Sequence, residues 1–260
     1  MIEHSFIVLD GIGEKTERDL WEQGILSWDD FLSVSTISNF GCQKKRLYEE
    51  SLQYFSHELQ RMNEKPFAEF IKPKDHWRLF KRFRKYAVCL DIETNGLPLN
   101  AGGETTVVGL YDGNSVKQFV KGRNLSEDAL FGELSQYKLL ITFFGSSFDI
   151  PFLKRQFRSL PLDLPHFDLC FSARRVGMTG GLKKIETDLG LTREKNISGL
   201  SGYDAVLLWK EWCHGNQTSL NTLLEYNCAD TVNLMDIANI IYEMLLENTG
   251  FQKYRENSVS

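Results

Sequence analysis

The sequence predicts an α/β fold, a mixed sheet flanked by helices, preceded by a small all-α domain. Three observations lead there. Residues 86–97 form a β-forming run (Tyr86, Val88, Leu90, Ile92) that carries two carboxylates into a Thr94-Asn95-Gly96 turn. Two further β runs, 105–111 and 115–120, are joined by Asp112-Gly113-Asn114, a strong hairpin signal. Beyond them, short apolar runs alternate with helical periodicity, so a sheet that begins as an antiparallel meander continues through helical crossovers.

At 260 residues the chain has room for one large domain, or a medium domain with a small appendage. Hydrophobic content of 42% and charged content of 25% are those of an ordinary soluble globular protein. The five cysteines are scattered and odd in number, with no Cys-x-x-Cys pair. That argues against a disulfide framework and a cysteine-ligated zinc site. Residues 1–13 lack the basic start and apolar core of a secretion signal, and no apolar run reaches membrane-spanning length. A cytoplasmic protein without a membrane partner is expected.

Residues 6–32 read as two short helices around tight turns, with Gly11-Ile12-Gly13 opening a helix at Glu14-Lys15-Thr16. A helix from 40 to 62 closes the first domain, with Leu47, Leu52, Phe55 and Leu59 at helical spacing. The Gly-x-Gly turn has bare backbone N–H groups that suit a phosphate oxygen, although many helical domains use such a turn for packing alone. The segment resembles a helix-hairpin-helix element, a module that contacts nucleic-acid backbones. On that basis Gly11, Gly13 and Lys15 are candidate nucleic-acid contacts.

Residues 63–85 read as a basic, aromatic linker followed by a short helix. Net charge of −5 gives no global signal for nucleic acid, yet residues 72–85 hold seven basic side chains against one acid, Asp75. Phe67, Phe70, Trp77, Phe80, Phe83 and Tyr86 are interleaved with them. Two readings stand: base stacking and phosphate neutralisation on a nucleic-acid strand, or aromatics that dock on the main domain.

The main domain spans 86–250. After the three antiparallel strands, 125–134 reads as a helix and 138–144 as a buried strand. Residues 148–157 form a helix entered through Gly145-Ser146-Ser147, and 164–169 a short strand. From Gly181 onward the pattern is helical: 182–189, 203–212 and 219–246.

The candidate chemistry lies in the acids. Strand periodicity puts Asp91 and Glu93 on one face, a few ångströms apart, where like charges repel unless a cation or proton relieves them. An oxygen-seeking divalent metal is the simplest relief. Asp149 follows the 138–144 strand across a turn, and Asp230 lies one helical turn after Tyr226, so those two share a helix face. Sites in open α/β sheets form at the carboxyl ends of strands, where all four acids can meet. Asp168 and His166 read as structural, and Trp209 and Trp212 as core. Arg174, Arg175, Lys183 and Lys184 flank the Gly177–Gly181 turn, either as phosphate contacts or as a solvated charge cluster.

An Asp-x-Glu on the first strand, a Phe-Asp after the fourth and a terminal Tyr-x-x-x-Asp resemble the motifs of the DEDD superfamily, in its tyrosine branch of 3′–5′ exonucleases. The resemblance is closer to a group of predicted prokaryotic exonucleases, through HWRL (76–79), LDIETNGL (90–97), SFDIPFL (147–153), HFDLCFSARR (166–175), GLKKIE (181–186), GLSGYDAVLLW (199–209) and LLEYNCADTVNL (223–234). It implies an RNase H-like fold and metal-dependent hydrolysis of phosphodiesters by two Mg²⁺ or Mn²⁺ ions. Asp91 would bridge the ions, Glu93 and Asp230 complete the first, and Asp149 serve the second largely through water. Tyr226 would orient the attacking water. Thr94, Arg174 and Lys183 are candidate substrate contacts, with DNA expected ahead of RNA. One departure is Phe144, where the family usually carries asparagine. A catalytically silent nucleic-acid-binding module and a structure-specific endonuclease are the alternatives.

Overall fold

A computed structural model describes residues 1–257 of the chain. The N-terminal part is helical: α1 (Glu14–Glu22), α2 (Trp28–Ser33) and α3 (Cys42–Gln60). Ser27 caps α2 by accepting from the Asp30 backbone N–H, while Gly13 stands at the N-cap of α1. These boundaries match the sequence expectation to within two or three residues.

The stretch expected as a linker is a string of short helical turns: α4 (Lys65–Phe70), 3₁₀ segments at Pro73–Leu79 and Arg84–Tyr86, and α5 (Phe80–Phe83). Phe67, Trp77, Phe80 and Phe83 are fully buried. The Phe80 ring lies 5.6 Å from both Phe167 and Tyr242, and Phe67 lies 5.5 Å from Phe55. The base-stacking expectation is therefore corrected for these four, because their apolar area is used to join the N-terminal helices to the sheet domain in one continuous core, while Phe70 and Tyr86 stay exposed. Arg78, one of the basic residues counted there, pairs with Glu17 at 3.0 Å with both side chains only 1% exposed. Glu17 also accepts from Ser5 Oγ and the Phe6 backbone N–H, so its carboxylate is well satisfied, whereas Arg78 Nε has no hydrogen-bond partner among the described residues.

The sheet has five strands in the order β3-β2-β1-β4-β5: β1 (Ala87–Thr94), β2 (Thr105–Tyr111), β3 (Val116–Val120), β4 (Leu139–Thr142) and β5 (His166–Asp168). The first three are antiparallel, and β4 and β5 join parallel to β1, as the alternation of elements predicted. Helices α6 (Glu127–Leu134) and α7 (Asp149–Gln156) share a core with Val88, Leu90 and Ile92 on one face. The other face of β1, bearing Ala87, Cys89, Asp91 and Glu93, meets the 33-residue α11 (Gln217–Thr249). Helices α8 (Leu169–Arg175), α9 (Leu182–Asp188) and α10 (Gly202–Cys213) intervene before it, and α12 (Phe251–Asn257) follows.

Besides α4 in the expected linker, two helices, α8 and α12, went unread in the sequence. The N-cap of α8 is Asp168, which accepts from the Cys170 N–H directly after a strand of three residues. A strand and a helix share one short apolar run there, so the strand expected at 164–169 is present as β5 while the helical period that follows it does not show. Among the described residues no helix is long and apolar enough to cross a membrane.

Candidate active site

The site is built where β1 ends. Asp91 and Glu93 project from one face of the strand, and the ladder to β2 slips between Glu93 and Thr94, ending the regular pairing beside the acids. Asp91 stands opposite Gly109 of β2. A Cβ at Gly109 would collide with Asn227 and Thr231 of α11, so a glycine here lets the long helix lie directly on the sheet. Asn227 Nδ2 then donates to Asp91 Oδ2 at 2.9 Å, while Gln118 Nε2 donates to Asn227 Oδ1 at 3.0 Å and holds the amide in that sense.

Asp230 arrives from the next turn of α11. One carboxylate oxygen from each of Asp91, Glu93 and Asp230 lies within 4.8 Å of the others. Asp149, the first residue of α7, lines the same pocket, and its Oδ1 accepts from the Ile92 N–H at 3.1 Å. It stands outside the three-acid group, tied to the backbone between the two β1 acids. Tyr226 also lines the pocket, a cavity of about 840 Å³ that Thr94 and Phe144 border as well.

Burial and mutual repulsion act on these acids together. Desolvation, then the Asp230 and Glu93 charges, hold the Asp91 carboxyl well above the usual range. Glu93 is raised by burial and by Asp230 and Asp149. Burial pushes Asp149 up to about 7. Asp230 is raised by burial, although Arg193 pulls the other way. The Tyr226 hydroxyl is raised by burial and then by the surrounding acids, so it stays protonated.

These residues fit a hard divalent cation. Glu93 Oε1 is buried without a hydrogen-bond partner among the described residues, and an all-carboxylate donor set is the kind Mg²⁺ and Mn²⁺ take. An acceptor left open beside two further acids is costly unless a cation or a proton completes it.

The remaining candidates scatter. Arg174 lies over the exposed Phe171 ring at 5.2 Å and does not line the pocket. Lys183 does not line the pocket but places its Nζ 4.8 Å from the Tyr226 ring centroid, near enough for its charge to act on Glu93 and Asp230. Gly11 and Gly13 line a separate cavity in the N-terminal part, with Gly11 at φ +74°, and Lys15 borders another. Asp168 ties down the loop after β4, accepting from the Phe144 and Ser146 N–H groups and from Ser146 Oγ. His166 faces Thr142 Oγ1 at 2.7 Å, and burial pushes it down to about 4. Both act structurally, as the sequence suggested, and Trp209 packs in the core against Trp212.

Three residues were missed. Asn227 sits three positions before Asp230, so helical spacing could have found it. Glu186 lies within the quoted GLKKIE stretch, but nothing there distinguished it from a solvated helical acid. Arg193, from the loop after α9, makes an ion pair with Asp230 and a double hydrogen bond to Glu186, and it left no periodic signal.

Comparison with known proteins adds one match: residues 88–242, more than half of the chain, match the family model of the RNase H superfamily. No curated protein and no solved structure matches the chain. The matched segment holds all five strands and the acidic cluster, and the chain belongs to the RNase H superfamily.

Proposed function

We propose that the protein is a metal-dependent 3′–5′ exonuclease that hydrolyses nucleic-acid phosphodiester bonds. The observation that carries this reading is the convergence of Asp91, Glu93 and Asp230, from two elements far apart in sequence, to within 4.8 Å at the floor of an open cavity. Mg²⁺ or Mn²⁺ held there would supply a hydroxide near neutral pH and stabilise charge on the leaving oxygen. Asp91, Glu93 and Asp230 would hold the metal, and Asp149 would assist from the α7 side, with its carboxylate fixed by the Ile92 N–H.

Tyr226, one turn before Asp230, would orient the attacking water with its hydroxyl. The raised hydroxyl makes it a hydrogen-bond donor rather than a base. Around the cavity the rings of Phe144, Phe148 and Tyr203 are exposed, Tyr203 at 70%. Aromatic faces at the rim suit the bases of an unpaired strand end, which stack without regard to sequence. In the N-terminal part the Gly11–Gly13 turn and Lys15 would take a backbone phosphate further along the strand.

Digestion of 5′-labelled DNA and RNA oligonucleotides with Mg²⁺ or Mn²⁺ tests the reading. A ladder shortening from the 3′ end is expected, with a covalently closed circular substrate left intact. Cleavage of the circle would replace the exonuclease assignment with an endonuclease one. Metal-dependent binding without any cleavage would leave a silent binding module.

A further inference from the structure

The Glu186–Arg193–Asp230 ladder is the feature that the acidic motif does not account for. Arg193 Nε and Nη2 donate to Glu186 Oε2 and Oε1, both at 2.7 Å, and Nη1 faces Asp230 Oδ1 in an ion pair. The side chains of Arg193 and Glu186 are 5% and 3% exposed. Asn233, on the same helix as Asp230, donates to Glu186 Oε1 at 2.8 Å, so the ladder is anchored to α11 at both ends.

A bidentate pair to Glu186 would by itself clamp the loop after α9 onto that helix. The third contact does more. It places a permanently charged guanidinium against a carboxylate of the proposed metal cluster. A cation there competes with a metal for Asp230 Oδ1 and repels a dication bound by the neighbouring acids. Glu186 opposes this by holding the other edge of the guanidinium and balancing its charge.

We propose that Arg193 is a tethered cation, a positioning residue that satisfies Asp230 before metal arrives and, together with Glu186, sets the metal affinity of the site. This rests on the metal-nuclease reading. Arg193 weakens the hold of Asp230 on the metal, and Glu186 moderates that weakening.

The test is Mn²⁺ binding to the full-length, metal-free protein without substrate, by titration calorimetry. Arg193→Gln should tighten binding by about tenfold and Glu186→Gln should weaken it by about the same factor. Because Arg193→Gln leaves a buried Glu186 unpaired, Glu186→Gln is also compared with the double variant Glu186→Gln/Arg193→Gln. The double variant should bind more tightly than Glu186→Gln, which reads the Arg193 effect with no orphaned acid and also serves if Arg193→Gln fails to fold. A ladder that only pins the loop would leave Mn²⁺ affinity unmoved, or shift it the same way in both single variants, and either result overturns the proposal. Absence of Mn²⁺ binding in the wild type would instead overturn the metal-nuclease reading beneath it.

Discussion

Asn227 on the long helix and Asp91 on the first strand are joined by a 2.9 Å hydrogen bond, and that bond is possible because Gly109 has no side chain to hold them apart. Gly109→Ala should therefore act at a distance. The added Cβ meets Asn227 and Thr231, so α11 must lift from the sheet or the amide must turn away. Overpacking of this kind costs roughly 1–3 kcal/mol. A lowered denaturation midpoint with a matching loss of cleavage is expected. Wild-type values of both would mean that the helix has slack.

Asp91→Asn removes the most crowded charge in the site. Cleavage should be abolished, whereas the metal-free protein should melt at an unchanged or higher temperature, because burial and three neighbouring acids oppose the Asp91 charge. Calorimetric melts with chelator present, beside turnover assays with Mn²⁺, check both halves. Substantial turnover would remove Asp91 from the metal cluster.

The raised acids of the site should make the metal-free protein less stable as pH rises, against the smaller opposite pull of buried His166. Asp149 holds its proton up to about 7 in the folded chain, against about 4 for an unperturbed aspartate. The folded state thus binds the proton more tightly, and stability present below the unfolded value is lost as pH rises through the folded one. Asp91 and Glu93 shift in the same direction. Melts in chelator at pH 5 and pH 8 should show the higher temperature at pH 5, with a smaller difference in Asp149→Asn. Adding Mn²⁺ should recover stability at pH 8. Because buried His166 pulls the profile the other way, the decisive result is the variant: a pH 5 to pH 8 difference as large in Asp149→Asn as in the wild type would contradict the raised Asp149 carboxyl.

Tyr226→Phe keeps the ring but deletes the hydroxyl. Mn²⁺ affinity should hardly change, while single-turnover cleavage at saturating metal should slow by about 10²–10⁴-fold. Asp230→Asn should weaken both. Tyr226→Phe cleaving at the wild-type rate would make this tyrosine a packing residue.

Removing residues 1–60 would strip side chains from a core shared with the sheet domain, so a point change tests the N-terminal contact better. Lys15 is exposed. Lys15→Glu should weaken oligonucleotide binding and lower its salt slope by about one, with turnover at saturating substrate preserved. Equal binding across a salt series would leave the Gly11–Gly13 turn a packing device.

Element types were largely legible because period and turn chemistry are local. The Asp112-Gly113-Asn114 hairpin, the Asp91/Glu93 face and the Tyr226–Asp230 spacing follow from geometry within a few residues. Where strand and helix share one short run, as at β5 and α8, the strand was legible and the helix behind it was not, because the two periods overlap.

What only the tertiary structure decided is the company these residues keep. Phe80 and Trp77 read equally well as stacking platforms or core, and burial against Tyr242 and Phe167 settled that. Phe144 stands at φ +66°, a conformation that asparagine adopts far more readily than phenylalanine. The chain alone shows the substitution, whereas the backbone strain beneath it is visible only in the fold. Arg193 is the clearest case. In sequence it is one charge among the many of a polar loop. Its partners lie 7 residues away at Glu186 and far along the chain at Asp230. The sequence by itself determined the sheet, the long helix and the acids they carry. The cation among those acids was decided by tertiary packing, because electrostatic contact depends on distance in space and leaves no period in the chain.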